Sequence, residues 1–339
     1  MFPKKFWDKI KKNNIPLEVG FELTWRCNQR CLFCYQYPPG KDELSTKEVK
    51  NIIDQLSSCG ALFISFTGGE PLLREDFWQI AGYARDRNFA LQLQTNGTLI
   101  DKSAAKKLKR LNFYTVNISL LGASAKTHDL LTGLKGSFKS VLKAIEYLKK
   151  ENVRVELRTT ITRENFNERK DIENLADDLG VKVYFSLIIY PRADGKKTPL
   201  KHRISDTQLK NFYNYVFSGK TRRNIAIKAK NTATPFLLCL LGRTCCAINA
   251  RGEVNPCGAV PLSMGSLREN SFSEIWQNAD LLKKIRHATR EDLKECLGCN
   301  LSPFCMRCSG LSFSEKGDIF SSSAESCRMA KTIKEVILR

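Results

Sequence analysis

Cys27, Cys31 and Cys34 stand in a C-x3-C-x2-C spacing near the start of a 339-residue chain. Three thiolates on one short loop can hold three irons of a cubane iron–sulfur cluster. The fourth iron then lacks a protein ligand, and an open metal position marks a catalytic rather than a structural site. A zinc knuckle that borrows a fourth ligand from elsewhere is the alternative this spacing leaves open. About thirty residues on, Thr67-Gly68-Gly69-Glu70-Pro71 offers two glycines and a carboxylate. Glycine lets backbone approach a ligand where a side chain would clash, and a carboxylate suits an ammonium group. Nine of the thirteen cysteines come late: Cys239, Cys245, Cys246 and Cys257, then Cys296, Cys299, Cys305, Cys308 and Cys327. They exceed one four-ligand site and nearly match two, with zinc ribbons as the alternative.

The elements around these residues must place them. Residues 17–24 and 61–66 read as buried strands, and each runs directly into one of the two early motifs. Helical periodicity covers 45–58, 75–88, 101–110, 137–151 and 168–179, alternating with strands at 89–94, 114–119, 154–161 and 181–189. Six β-α units with short connections imply a parallel sheet, and right-handed crossovers curl it into an open barrel. Chemistry in such barrels gathers at the C-terminal ends of the strands. The cysteine loop, TGGEP, Thr95-Asn96-Gly97 and Ser119 all fall there. Residues 191–199 read as a linker. The expected division is a basic N-terminal segment (1–16), the barrel (17–190), a linker and helix (191–235) and a cysteine-rich domain (236–339).

CNQRCLFC followed by TGGEP, each after a strand, resembles the radical S-adenosylmethionine (SAM) superfamily. The resemblance spans roughly residues 15–190 and implies an α/β fold, a partial (β/α)6 TIM-like barrel. It implies that Cys27, Cys31 and Cys34 hold a catalytic 4Fe-4S cluster whose open iron is chelated by the amino and carboxylate groups of SAM. By the same matching Phe33 packs near the adenine, Gly68, Gly69 and Glu70 receive the amino group, and Ser119 meets the ribose. Relatives often read S-L-D-G where this chain has Leu121 in the Asp place. Arg158 is a candidate partner for the SAM carboxylate, with a surface or structural ion pair as the alternative. Asn96 is a further candidate, set against the ordinary role of Asn in a turn. In such enzymes the reduced cluster passes an electron into the SAM sulfonium. Methionine and a 5′-deoxyadenosyl radical result, and the radical takes a hydrogen from substrate.

The late cysteines resemble the SPASM domain, an extension of radical SAM enzymes that carries two auxiliary 4Fe-4S clusters. Gly252-x4-Cys257 fits its pattern, whereas Cys305 and Cys308 are one residue closer than the pattern has them. Matching implies that auxiliary cluster I uses Cys239, Cys245 or Cys246, Cys257 and Cys308, and cluster II uses Cys296, Cys299, Cys305 and Cys327. Three clusters are thus expected in all, and Cys59 is an ordinary buried thiol. Fully ligated clusters have no iron free for SAM, so their role is electron transfer, which favours net oxidative chemistry. Members of this extended family mostly modify ribosomally made peptides or proteins, and that is the function expected here. Enzymes that decarboxylate tetrapyrroles or build other cofactors share the architecture and form the alternative. Sulfatase-maturing relatives carry an Asp base where this chain has Gly258, which counts against formylglycine formation. An external electron donor such as flavodoxin or ferredoxin is implied. With about sixteen residues ahead of the first strand, leader binding is expected to need a separate carrier protein.

Composition agrees. A hydrophobic content of 42% can build a sizeable core. No apolar run is long enough to span a membrane, and no secretory signal is evident. Thirteen cysteines without an export signal argue for a reducing compartment, the cytoplasm, and for metal ligation rather than disulfides. The net charge of +20 invites a nucleic-acid reading. Cluster ligation by eleven thiolates would lower it to about +15. The basic residues are spread over helices such as 102–110 and 139–150, as on solvated faces, so an acidic peptide partner is expected and nucleic acid is not. A zinc-stabilised nucleic-acid-binding protein is the alternative from another class. The N-terminal MFPKKFWDKIKK is expected to form a short helix packed on the domain rather than a membrane-surface segment.

Overall fold

The computed structural model describes residues 3–36, 40, 42–217 and 239–339. The far end of the expected linker and the first residues of the cysteine-rich domain, 218–238, lie outside the described residues. The six expected strands are present: β1 (Glu18–Thr24), β2 (Phe63–Gly68), β3 (Ala90–Thr95), β4 (Thr115–Ser119), β5 (Val155–Thr160) and β6 (Lys182–Ser186). Each pairs in parallel with the next in sequence. Successive side chains on a strand face opposite sides of the sheet. Val19, Phe21 and Leu23 of β1, Ile64 and Phe66 of β2, Leu91 and Leu93 of β3, and Val116 and Ile118 of β4 enter one hydrophobic core. Their neighbours Glu22, Thr67, Gln94, Asn117 and Ser119 therefore face the other side, where the chemistry lies.

Helices seal the apolar side. Ahead of β1 comes α1 (Lys4–Lys12), the expected short helix, with Ile10 buried. The helix α2 (Thr46–Ser58) is closed at its N-terminus by a reciprocal capping box between Ser45 and Glu48. It buries Val49, Ile52, Ile53 and Leu56 at helical spacing. The helices α3 (Phe77–Asp86), α4 (Lys102–Arg110), α6 (Ser137–Lys150) and α7 (Arg169–Asp178) follow the expected alternation. Between β4 and α6 lies a helix the sequence reading did not anticipate, α5 (Ala125–Thr132), capped by Ser124 and ended by Gly133 in the left-handed conformation. Among the described residues no helix is long and apolar enough to cross a membrane.

The chain divides into two compact units, and the division differs from the expected boundary at 236. The first unit comprises residues 1–203 and 241–286; the second comprises 204–240 and 287–339. The reason is a seventh parallel strand. Residues Cys245–Ile248 form β7, which pairs with β1 in the register Glu18↔Cys245 to Phe21↔Ile248. A further strand, β8 (Val254–Asn255), turns back antiparallel on β7. An unpaired edge exposes a row of backbone donors and acceptors, and β7 covers that of β1. The sheet thus runs β6-β5-β4-β3-β2-β1-β7-β8. In the second unit the helices Asp206–Val216 and Ala324–Ile337 pack together, and Arg328 of the latter donates to Asp206 Oδ1 at 2.8 Å.

Candidate active site

The cysteine loop leaves the C-terminal end of β1 and is held from two sides. The backbone N–H of Gly69 donates to Thr24 O at 2.7 Å, and that of Glu70 to Arg26 O at 2.8 Å. This approach requires glycine. A Cβ on Gly68 would lie 2.2 Å from Thr24 O, and one on Gly69 would lie 2.2 Å from Arg26 O. From the other side, Arg30 N donates to Thr132 O and Leu32 N to Leu131 O, so α5 is what backs the loop. A side-chain chain completes the support: Asn28 Nδ2 donates to Thr98 Oγ1, and Asn96 Nδ2 donates to Asn28 Oδ1 at 2.8 Å.

Cys27, Cys31 and Cys34 line one cavity of about 690 Å³ together with Phe33, Gly68, Gly69, Asn96, Ser119 and Arg158. The thiol of Cys31 is pushed far up by burial, and then by the charges of Cys34 and Cys27 beside it. Burial raises Cys27 as well, with Glu70 and Cys34 adding to the effect. Three sulfurs that repel one another's charge in a shared recess are a fitting donor set for a cubane edge, because irons would neutralise what now opposes ionisation. Two buried amide donors without partners, Gln29 Nε2 and Asn117 Nδ2, belong to residues of the same wall. Unpaired buried donors call for a ligand or an equivalent explanation.

Glu70 lies beneath this wall rather than in it. It is fully buried, and its carboxylate accepts from Leu72 N, Thr95 Oγ1 and Asn96 N. Burial raises its pKa to about 7, and these donors pull the other way. Thr67, Gly68 and Gly69 are thus the part of TGGEP that meets the cavity. Arg158 does reach the cavity, but its fork is engaged. Nε donates to Asn117 Oδ1 at 2.9 Å, Nη2 to Glu156 Oε2 at 2.9 Å, and the guanidinium stacks on Tyr184.

Strand alternation could have added Gln94, Asn117 and Glu22 to the candidates, since each shares a face with a motif residue. Glu22 is buried and accepts from Trp25 Nε1 at 2.9 Å and Gln36 Nε2 at 3.1 Å. Burial raises its pKa. A side chain at Gly258 would stand 3.8 Å from Glu22 Oε1 and 3.9 Å from the Tyr35 hydroxyl, so the missing side chain leaves space beside both. His128 sits in α5 and is neutral: burial lowers its pKa to about 4, and Nδ1 accepts from Leu121 N.

The alternation of β7 separates Cys245 from Cys246. Cys246 pairs with Val19, is buried, and packs into the hydrophobic core, where burial drives its thiol pKa well up. Cys245 pairs with Glu18 on the opposite face and is only half-buried. Cys257 belongs to the same unit, whereas Cys239 and Cys308 belong to the second. Within the second unit Cys296, Cys299, Cys305 and Cys327 lie close enough for their charges to interact. The Cys305 thiol is raised to about 11 by burial and then by Cys327, Cys296 and Cys299. Among the described residues no three His, Cys, Asp or Glu side chains converge closely enough to hold a single metal ion. A cubane instead takes each sulfur on a different iron.

The sequence profile of the Radical SAM superfamily matches residues 21–176, and that of an iron–sulfur cluster-binding domain, SPASM, matches residues 239–300. An AdoMet-dependent heme synthase of Methanosarcina barkeri is 30% identical over 91% of this chain and 95% of its own length. The mycofactocin maturase MftC of Mycolicibacterium smegmatis is 27% identical over 86% of this chain and 77% of its own. Among solved structures, Streptococcus suis SuiB bound to its precursor peptide SuiA superposes with a TM-score of 0.73 at 19% identity, covering 96% of this chain and 79% of SuiB.

Proposed function

Because the chain belongs to the radical SAM superfamily and carries its SPASM extension, we propose that it oxidatively modifies a ribosomally made peptide, starting from hydrogen abstraction. The observation that carries the first half is the convergence of Cys27, Cys31, Cys34, Gly68 and Gly69 on one cavity. A 4Fe-4S cluster bound by the three thiolates supplies the electron that splits SAM into methionine and a 5′-deoxyadenosyl radical. The chain's own part is placement and shelter. The bare backbone of Gly68 and Gly69 admits the amino-acid end of SAM, and Phe33 and Ser119 flank the nucleoside. Trp25, Leu121, Ile188 and Ile189 give the cavity apolar walls that keep water from a reactive primary radical.

In the oxidative half, Cys296, Cys299, Cys305 and Cys327 hold one auxiliary cluster, and Cys245 and Cys257 are ligands of the other. Both serve as electron carriers. A flavodoxin or ferredoxin provides the reducing electron, a separate carrier presents the leader, and the whole operates in a reducing cytoplasm. Similarity to MftC and the fold shared with SuiB support a peptide substrate. A tetrapyrrole substrate is the second reading, favoured by nearly full-length similarity to the heme synthase.

Anaerobically reconstituted protein incubated with SAM and dithionite is expected to release 5′-deoxyadenosine, and Cys27→Ala, Cys31→Ala or Cys34→Ala should abolish it. Wild-type protein that binds iron yet yields none would refute the radical reading. Deuterated peptides encoded near the gene and deuterated porphyrins, tested side by side, separate the two substrates. Deuterium appears in 5′-deoxyadenosine only with the true one.

A further inference from the structure

Gln29 lies between the first two cluster cysteines, lines the cavity, and is 5% exposed. Its backbone N–H donates to Cys27 Sγ at 3.4 Å. Its side-chain Oε1 accepts from the Cys31 thiol at 3.4 Å, while Nε2 is buried with no partner. This arrangement holds only while Cys31 keeps its proton. As an iron ligand the sulfur is a thiolate, an acceptor without a donor to give. Oε1 would then face a negative sulfur, and Nε2 would still be unpaired. Turning the amide end for end, which its nearly equal oxygen and nitrogen allow, removes the repulsion and pairs Nε2, leaving the neutral carbonyl oxygen in the unpartnered place. Nε2 then donates to Cys31 Sγ from the place Oε1 now occupies.

We propose that Gln29 is a positioning and tuning residue, whose side-chain N–H donates to the Cys31 thiolate and raises the reduction potential of the SAM-binding cluster. Hydrogen bonds to cluster sulfurs draw charge off them and favour the reduced, more negative state. With the Gln29 backbone N–H and Asn96 Nδ2 (3.9 Å) on Cys27, two of the three ligand sulfurs would be hydrogen-bonded by neutral amides. The inference rests on the radical SAM reading, because it needs the cluster in place.

The test is an EPR-monitored redox titration of the reconstituted full-length chain. It follows the reduced signal that shifts when SAM is added, in the wild type, Gln29→Leu and Gln29→Glu. At the potential where the wild-type cluster is half reduced, the reduced-to-oxidised ratio should fall about tenfold in Gln29→Leu, which is 59 mV for one electron. Gln29→Glu, which adds a charge and removes the donor, should fall at least as far. The signals that ignore SAM should keep their midpoints in both variants, which a general loosening of the fold would not spare. Ratios within twofold of wild type, at full iron content, overturn the inference and leave the radical SAM reading intact. A wild type with no SAM-responsive signal overturns that reading itself. Should one variant load less iron, the other decides; should both lose the cluster, Gln29 builds the loop and the tuning role falls.

Discussion

Glu70 Oε2 accepts a hydrogen bond of 2.8 Å from the backbone N–H of Asn96, tying the loop after β2 to the loop after β3. Thr95 Oγ1 donates to the same carboxylate at 2.9 Å. The bond explains why TGGEP and TNG stand side by side at the rim, each at the end of its strand. It also gives Glu70 a measurable effect on stability. Its pKa is raised from 4.5 to about 7, chiefly by burial. Below about pH 4.5 both folded and unfolded chains hold the proton; between there and pH 7 only the folded chain does. The stability from this proton is therefore complete in acid and lost as pH rises through about 7, a change on the order of 3 kcal/mol. Glu70→Gln has no such proton to lose. Thermal melts of the two chains from pH 5 to 8 should show the wild-type advantage shrinking as pH rises; an advantage that is constant or grows contradicts this account.

Gly69→Ala should disable the site without emptying it of iron. The new Cβ would meet Arg26 O at 2.2 Å and Trp25 O at 2.8 Å, both backbone atoms that can yield only by moving the loop. A displacement of about 1 Å at a reacting centre costs on the order of 100-fold in rate. Formation of 5′-deoxyadenosine should drop by about that factor. Iron analysis should remain at the wild-type value, because no thiolate is touched. Activity within a few-fold of wild type would mean that the close approach of this backbone is dispensable.

Most of this site could be read in advance, and the exceptions have physical causes. The strands β1 to β6 announce themselves through apolar runs, and the cysteine spacing and the glycine pair sit where β1 and β2 end. The helix α5 was missed because its eight residues give little amphipathic contrast. Its cap signals, Ser124 before it and Gly133 after, were nonetheless legible. The strand β7 was missed for another reason: four residues reading Cys-Cys-Ala-Ile look like ligands rather than a sheet edge, and only pairing with β1 reveals them. Gln29 carried no signal, since its interest comes from an orphaned amide that no spacing rule reports. Residues 241–286 join the compact unit of the barrel because edge pairing with β1, a long-range contact, is not announced by local composition.

The vicinal pair in β7 makes a sharp contrast. Cys246 shares the core face with Val19 and Ile248, whereas Cys245 faces the other way. Replacing Cys245 with alanine should remove about four irons, the content of one cubane. Cys246→Ala should keep them all and instead lower stability by roughly 1 kcal/mol, as expected for a small void in a packed core. Iron quantification alongside melting of each variant decides the matter. A reversed pattern would assign the ligand to Cys246 and require β7 to flip its register.

Cys296, Cys299, Cys305 and Cys327 of the second unit predict both a pH dependence and a separation of half-reactions. Burial and three neighbouring sulfurs hold the Cys305 thiol at about 11, and Cys327 is raised by burial and by Cys296 and Cys299. Iron must displace those protons to bind, so ligation grows easier as solution pH approaches the thiol range. Reconstitution of the metal-free chain should thus load more completely at pH 9 than at pH 7, as read by iron per chain. Cys305→Ala should lose about four irons, since a cubane with one open corner in a partly exposed site is poorly retained. Because Cys27, Cys31 and Cys34 belong to the other unit, this variant should keep its SAM-responsive EPR signal. It should still cleave SAM with dithionite at close to the wild-type rate, while oxidised product disappears. Loss of SAM cleavage together with the product would show that these thiolates support the radical-forming site and do not merely accept its electrons.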